Sequence, residues 1–117
     1  MKYFDKIRKN NEFRVVYENG KSRANKYLVM YILENNMQIN RIGISVSKKV
    51  GNSIVRHRLT RIIRESIRLN EEKFNLGYDI IIVARNNLKG KGYLDAQSAV
   101  LHLSKIHGIL KRENDCD

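Results

Sequence analysis

An α+β fold is what this sequence predicts, a two-layer sandwich of a small mixed sheet and three helices. Two patterns point there. Apolar residues recur at helical spacing in three separate stretches, and other segments alternate like strands or form a compact β-branched run. The third observation is size, because 117 residues suit one core and leave little for a second. The chain is therefore expected to be a single domain over 1–117, with short flexible termini over about 1–8 and 112–117.

The first helix begins at Asn10 or Asn11, either of which can cap it. Phe13, Val16 and Tyr17 then follow i, i+3, i+4 spacing, and Gly20 is placed to end it. Residues 27–33 (Y-L-V-M-Y-I-L) are rich in β-formers, and residues 41–46 (R-I-G-I-S-V) carry apolar side chains at alternate positions, so two strands are expected. Three asparagines within 34–40 favour a turn, which makes an antiparallel hairpin the simplest connection. Gly51-Asn52-Ser53 offers a cap for the principal helix, which runs without Pro or Gly to about Leu69. Residues 78–84 (Y-D-I-I-I-V-A) have the length and β-branched content of a buried central strand. Residues 85–93, with Arg85, Lys89, Lys91 and two glycines, read as a solvated basic loop. From about Leu94 to Lys111, Ala99, Leu103, Ile106 and Leu110 recur at helical spacing and mark an amphipathic closing helix.

Charge narrows the function. With 23 Lys and Arg against 12 Asp and Glu, the net charge is +11, which points to a polyanionic partner. No apolar run approaches the length of a membrane span, and Met1 to Lys9 carries four cations without the apolar stretch of a signal peptide. A cytoplasmic protein without a membrane or small-molecule partner is expected. The only cysteine, Cys116, sits in an acidic tail, so neither a disulfide nor a cysteine metal site can form within the chain.

The positive charge concentrates in residues 48–68, which hold seven Lys or Arg and one acid. At 3.6 residues per turn, Val55, Leu59, Ile62, Ile63 and Leu69 gather on one side of this helix. His57, Arg61, Arg64 and Arg68 gather opposite, and Arg56 and Arg58 fall on the flanks. Like charges at i, i+3 and i, i+4 cost an isolated helix roughly a few tenths of a kcal/mol per pair, so a partner must compensate. Phosphates do so, because the planar guanidinium gives paired hydrogen bonds to phosphate and can stack on a base. Lys48 and Lys49 stand beside the free N–H groups of the helix start, an arrangement that suits an anion. Ser45 and Ser47 alternate with Ile44 and Val46, where a hydroxyl suits phosphate or ribose as well as an ordinary polar strand face.

The string R-I-G-I-S-V-S-K-K-V-G-N-S-I-V-R-H-R-L-T-R-I-I-R-E, residues 41–65, resembles the signature region of the bacterial ribonuclease P protein subunit. I-R-K-N-N-E-F-R-V-V-Y-E-N-G-K near the start and Y-D-I-I-I-V-A-R later extend the resemblance over nearly the whole chain, in the family's order and spacing. It implies that the chain binds a large catalytic RNA, and that the assembled particle removes the 5′ leader from precursor tRNA. The Mg²⁺-dependent hydrolysis would be carried by the RNA, with the metal held mainly through it and no catalytic residue in the protein.

The same resemblance implies site residues. Phe13, Tyr17 and Tyr31 correspond to aromatics of a cleft that contacts the single-stranded leader, joined by Ser45, Arg56, His57 and Arg61. Lys48, Lys49, Asn52, Arg58, Arg64 and Arg68 would contact the catalytic RNA. An aromatic face near positive charge suits an unpaired base, although the spacing of Phe13 and Tyr17 equally suits a helix core. The family's R-N-R motif is matched by Arg56, His57 and Arg58, with histidine in place of asparagine, and Thr60 stands where the family has a cation. An unusual left-handed βαβ crossover around the basic helix is also implied.

Two rivals remain at this level. A protein enzyme lacks its constellation: His57, His102 and His107 have no metal-ligand spacing with carboxylates, and no P-loop or G-x-S-x-G string is present. Another basic binding module, such as a ribosomal protein or a DNA-binding domain, fits the composition. A helix-turn-helix is disfavoured because the basic helix follows a strand directly.

Overall fold

The computed structural model of the chain describes residues 1–112, so Cys116 and the expected flexible tail from 113 onward lie outside the described residues. Among the described residues the order is β1 (Phe4–Lys6), α1 (Asn10–Asn19), β2 (Lys21–Ala24), β3 (Leu28–Glu34), β4 (Asn40–Ser45), α2 (Ser53–Arg68), β5 (Tyr78–Ala84) and α3 (Tyr93–Ile106). The sheet runs β1-β4-β5-β3-β2, with β1–β4 and β4–β5 parallel and the other pairs antiparallel. The α+β architecture with a mixed sheet is thus present.

β5 occupies the centre, as its composition requires. Ile80, Ile81 and Ile82 are all fully buried, because the strand has neighbours on both edges and cover on both faces. Leu28, Met30, Ile32, Ile42, Ile80 and Ile82 meet Leu59, Ile63 and Ile67 of α2 and Val100 and Leu103 of α3 in the main core. On the opposite face Ile81 meets Val16 of α1 and Ile7 in a smaller core. The principal sandwich is therefore α2 and α3 against the sheet, and α1 covers part of the other side.

Three expectations are corrected. First, β3 and β4 are not a hairpin: β5 lies between them, antiparallel to β3 (Met30↔Ile82) and parallel to β4 (Ile42↔Ile80). Lengthening a loop costs only about 0.6 kcal/mol per doubling, whereas fully burying an isoleucine stabilises by about 1.5–3 kcal/mol. The triple-isoleucine strand therefore takes the centre. The hairpin that does form is β2–β3, where Asn25 Oδ1 accepts from the N–H groups of Tyr27 and Leu28 (3.1 and 3.0 Å). Second, the start of the chain is not a free terminus over 1–8. β1 pairs with β4, and Phe4 and Ile7 are buried. Third, the closing helix stops at Ile106 rather than reaching Lys111. Gly108 adopts φ 73°, a left-handed geometry that turns the chain back. Leu110 then bridges to Phe74, and the Lys111 N–H donates to the Lys73 carbonyl (2.8 Å).

α2 is capped as its sequence suggests, with Asn52 Oδ1 accepting from the Val55 N–H at 3.0 Å. Its buried side is Leu59, Ile63, Ser66 and Ile67, while Leu69 at the C-terminal cap is mostly exposed. Turning the buried arc toward Ile63 and Ile67 draws in Arg56, seven and eleven residues earlier on the same helical row. Arg56 is accordingly half-buried, with its Nε enclosed and without a hydrogen-bond partner among the described residues.

Candidate nucleic-acid interface

Asn10, Phe13, Arg14 and Tyr17 stand at i, i+3, i+4 and i+7 on α1, so they share one side of the helix. With Ile44 and Ser45 of β4 they line an open groove of about 500 Å³. Phe13 reaches the sheet because β4 has a glycine beneath it: a Cβ on Gly43 would stand 2.7 Å from Phe13 Cζ. Tyr17 then meets Tyr31 of β3 edge-on, with ring centroids 4.9 Å apart, and Phe13 lies 6.4 Å from Tyr17. Phe13 and Tyr31 also pack on Val16 and Ile81, so they serve both the small core and the groove, while Tyr17 is 39% exposed. Burial pushes the Tyr17 phenol above its ordinary pKa, against the opposing effect of the Ser45 hydroxyl. Tyr17 therefore stays neutral at physiological pH, offering an aromatic face and an O–H donor.

Asn10 and Arg14 are lining residues that the sequence reading missed, although their helical spacing with Phe13 and Tyr17 was available. Arg14 places an exposed guanidinium at the rim of this aromatic patch.

A polar lock holds α1 in place. Arg41 of β4 donates Nε to Asp79 Oδ1 (2.9 Å) and Nη2 to Asp79 Oδ2 (2.5 Å), and its Nη1 reaches Glu12 Oε2 of α1 at 2.6 Å. Asn35 Nδ2 adds a further donor to Asp79 (2.9 Å). Neither Asn10 nor Asn11 caps α1; instead Glu12 Oε1 accepts from the N–H groups of Lys9 and Arg8 (3.1 and 3.3 Å). These bonds, led by the Lys9 N–H and followed by Arg41, lower the Glu12 pKa from 4.5 to about 2.

A depressed carboxylate pKa stabilises the fold above its unfolded value, and that contribution is lost as pH falls toward the folded one. Denaturant melts between pH 5 and 2 should therefore show the parent chain losing stability more steeply than Glu12→Gln, with the difference falling between about pH 4.5 and 2. Parallel curves would mean that the lock does not discriminate the ionised form.

On the other side of the sheet α2 presents its cations. Arg58, His57 and Arg61 are exposed, with Ser53, Ile54 and Ile62, around a second open groove of about 390 Å³. Among the described residues Arg56, Arg58, Arg61 and Arg64 take part in no salt bridge. Arg68 does, since Glu65 holds its guanidinium through Nε and Nη2. Lys48 and Lys49 are exposed in the turn before the helix. Among the described residues no group of three or more His, Cys, Asp or Glu could hold a metal ion. Glu12 and Asp79 are both engaged by Arg41. No described helix is long and apolar enough to cross a membrane.

A family model described as Ribonuclease P matches residues 1–107. The chain belongs to the ribonuclease P family. It is 58% identical over 106 residues to the ribonuclease P protein component of Lachnoclostridium phytofermentans, covering 91% of each chain. It is 53% identical over 110 residues to that of Alkaliphilus oremlandii, covering 94% of this chain and 96% of the other. Among solved structures, the Staphylococcus aureus ribonuclease P protein superposes with a TM-score of 0.81 at 38% identity, covering 91% of this chain and 97% of that one. The Thermotoga maritima protein gives 0.80 at 28% identity, covering 86% and 96%. Membership in the ribonuclease P protein family makes the chain part of an endoribonuclease complex that partners an RNA subunit in tRNA 5′ processing.

Against the leader-binding set inferred from the ribonuclease P resemblance, the fold divides the residues. Phe13, Tyr17 and Ser45 line the α1 groove and Tyr31 joins their aromatic cluster, whereas Arg56, His57 and Arg61 stand on α2, outside that lining. Of the RNA-contact set, Lys48, Lys49, Arg58 and Arg64 lie in or just before α2, Asn52 is occupied as its cap, and Arg68 is paired with Glu65.

Proposed function

We propose that this chain is the ribonuclease P subunit that binds the catalytic RNA through the cations of α2 and holds the 5′ leader of precursor tRNA in the α1 groove. The observation that carries the reading is the Phe13–Tyr17–Tyr31 cluster with Arg14 beside it, a stacking surface next to a phosphate partner, separate from the α2 cations. Unpaired bases stack on aromatic faces, and guanidinium groups neutralise the backbone between them. The protein contributes binding and orientation in the cytoplasm, while the RNA performs the Mg²⁺-dependent endonucleolytic cut that yields the mature tRNA 5′ end.

The test is precursor-tRNA cleavage by the RNA subunit at low Mg²⁺, with and without the purified chain. Stimulation is expected; its absence would refute the reading, and cleavage by nuclease-free protein alone would refute the assignment of chemistry to RNA.

Assembly should be salt-sensitive through α2. Replacing Arg58 and Arg64 by alanine removes two phosphate contacts, each contributing about 0.7 to 0.9 to the slope of log K against log salt. The double variant's slope for the catalytic RNA should fall by about 1.4 to 1.8. An unchanged slope would remove these arginines from the interface.

A further inference from the structure

The segment joining β5 to α3 has features that a simple connection does not need. From Ile80 to Leu94 there is no acidic residue, while Arg85, Lys89 and Lys91 fall within it. Leu88 is fully buried and anchors the middle of the loop, contrary to a wholly solvated reading. The backbone closes around it, with Leu88 N–H donating to the Arg85 carbonyl and Lys91 N–H to the Leu88 carbonyl, both at 3.0 Å.

Side chains fasten both ends. Arg85 Nη1 donates to the Asn25 carbonyl (2.8 Å), and Asn87 Nδ2 donates to the Lys26 carbonyl (3.2 Å), bringing Lys26 of the β2–β3 turn alongside. Arg58 of α2 donates Nη2 to the Lys91 carbonyl at 2.5 Å. That bond joins the loop to the cationic side of α2. Lys26, Lys89 and Lys91 are exposed, and among the described residues none of them is paired with a carboxylate.

We infer that residues 85–92 form a second phosphate-binding surface for the same structured RNA that α2 engages, continuous with α2 through Arg58 and distinct from the α1 groove. The inference rests on the RNA-binding function proposed above. Lysine ammonium groups are point charges without a planar fork, so they suit backbone phosphates rather than base edges. Holding them on a loop fastened at Leu88, Arg85 and Lys91 lowers the ordering cost of binding. Because the surface joins α2 through Arg58 and shares no residue with the α1 groove, it should act on the RNA subunit and not on the tRNA leader.

The experiment measures affinity for the catalytic RNA against salt for the parent chain, Lys89→Ala/Lys91→Ala and Lys89→Glu/Lys91→Glu, together with binding of precursor and mature tRNA by the assembled particles. The alanine pair should lower the log–log salt slope by about 1.4 to 1.8, and the glutamate pair should weaken RNA binding further. Precursor and mature tRNA should be affected equally. Thermal melts should stay unchanged, because Leu88 and the loop hydrogen bonds remain. A parent-like slope in the alanine pair, with the parent itself binding, would overturn the loop surface alone. Weakening confined to the precursor would also overturn it, by placing the loop on the leader. Failure of the parent to bind the RNA would overturn the function on which the loop surface depends.

Discussion

With Tyr17 and Tyr31 both replaced by alanine, the assembled particle is expected to hold precursor tRNA about thirtyfold more weakly, with mature tRNA little changed. Each aromatic lost from under a base costs at least about 1 kcal/mol, so two cost about 2 kcal/mol, which is about thirtyfold in affinity. The two rings meet edge-on at 4.9 Å, so removing both also removes the mutual support that keeps each in place. Because Tyr31 packs on the small core with Val16 and Ile81, the alanine pair should be compared with Tyr17→Phe/Tyr31→Phe. The phenylalanine pair keeps both faces and should retain most of the preference. Equal weakening of precursor and mature tRNA would count against leader contact.

Gly43→Val should destabilise the chain by about 1–3 kcal/mol, the usual cost of overfilling a packed site. A Cβ there already stands 2.7 Å from Phe13 Cζ and 2.8 Å from Cε2, and the methyl groups of valine would extend further into the ring. Phe13 must lift from β4, and α1 with it, so leader discrimination should fall as well. Chemical denaturation of Gly43→Val in the parent and in a Phe13→Ala background decides the cause. If the ring is the obstacle, valine should cost far less once the ring is gone, a strongly non-additive pair. Equal costs in both backgrounds would place the strain elsewhere.

How much of this was legible in the sequence depended on where each residue finds its partners. α1, α2 and β5 carry their signals locally, in the spacing of Phe13, Val16 and Tyr17, the Asn52 cap, and the triple isoleucine. β1 and β2 do not. Lys21–Ala24 is exposed at all four positions and becomes a strand only because β3 supplies the pairing; Phe4–Lys6 does so only beside β4. Strand order was hidden for the same reason, since inserting β5 between β3 and β4 is a long-range choice.

At the site, the aromatic residues were readable as a group, but what seats them was not. Gly43 shows its purpose only when Phe13 lies over it, and the Glu12–Arg41–Asp79 lock joins residues from three separate elements. The arginine-rich helix was readable as charge; that Arg56 is half-buried and Arg68 neutralised by Glu65 depends on how α2 is rotated against the sheet.

Leader binding in the α1 groove is tested most directly by photo-crosslinking. A photoreactive base placed in the 5′ leader of precursor tRNA, irradiated in the assembled particle, should label peptides carrying Phe13, Arg14, Tyr17 or Tyr31. Labelling confined to α2 or to the 85–92 loop, with the α1 and β3 peptides untouched, would contradict it.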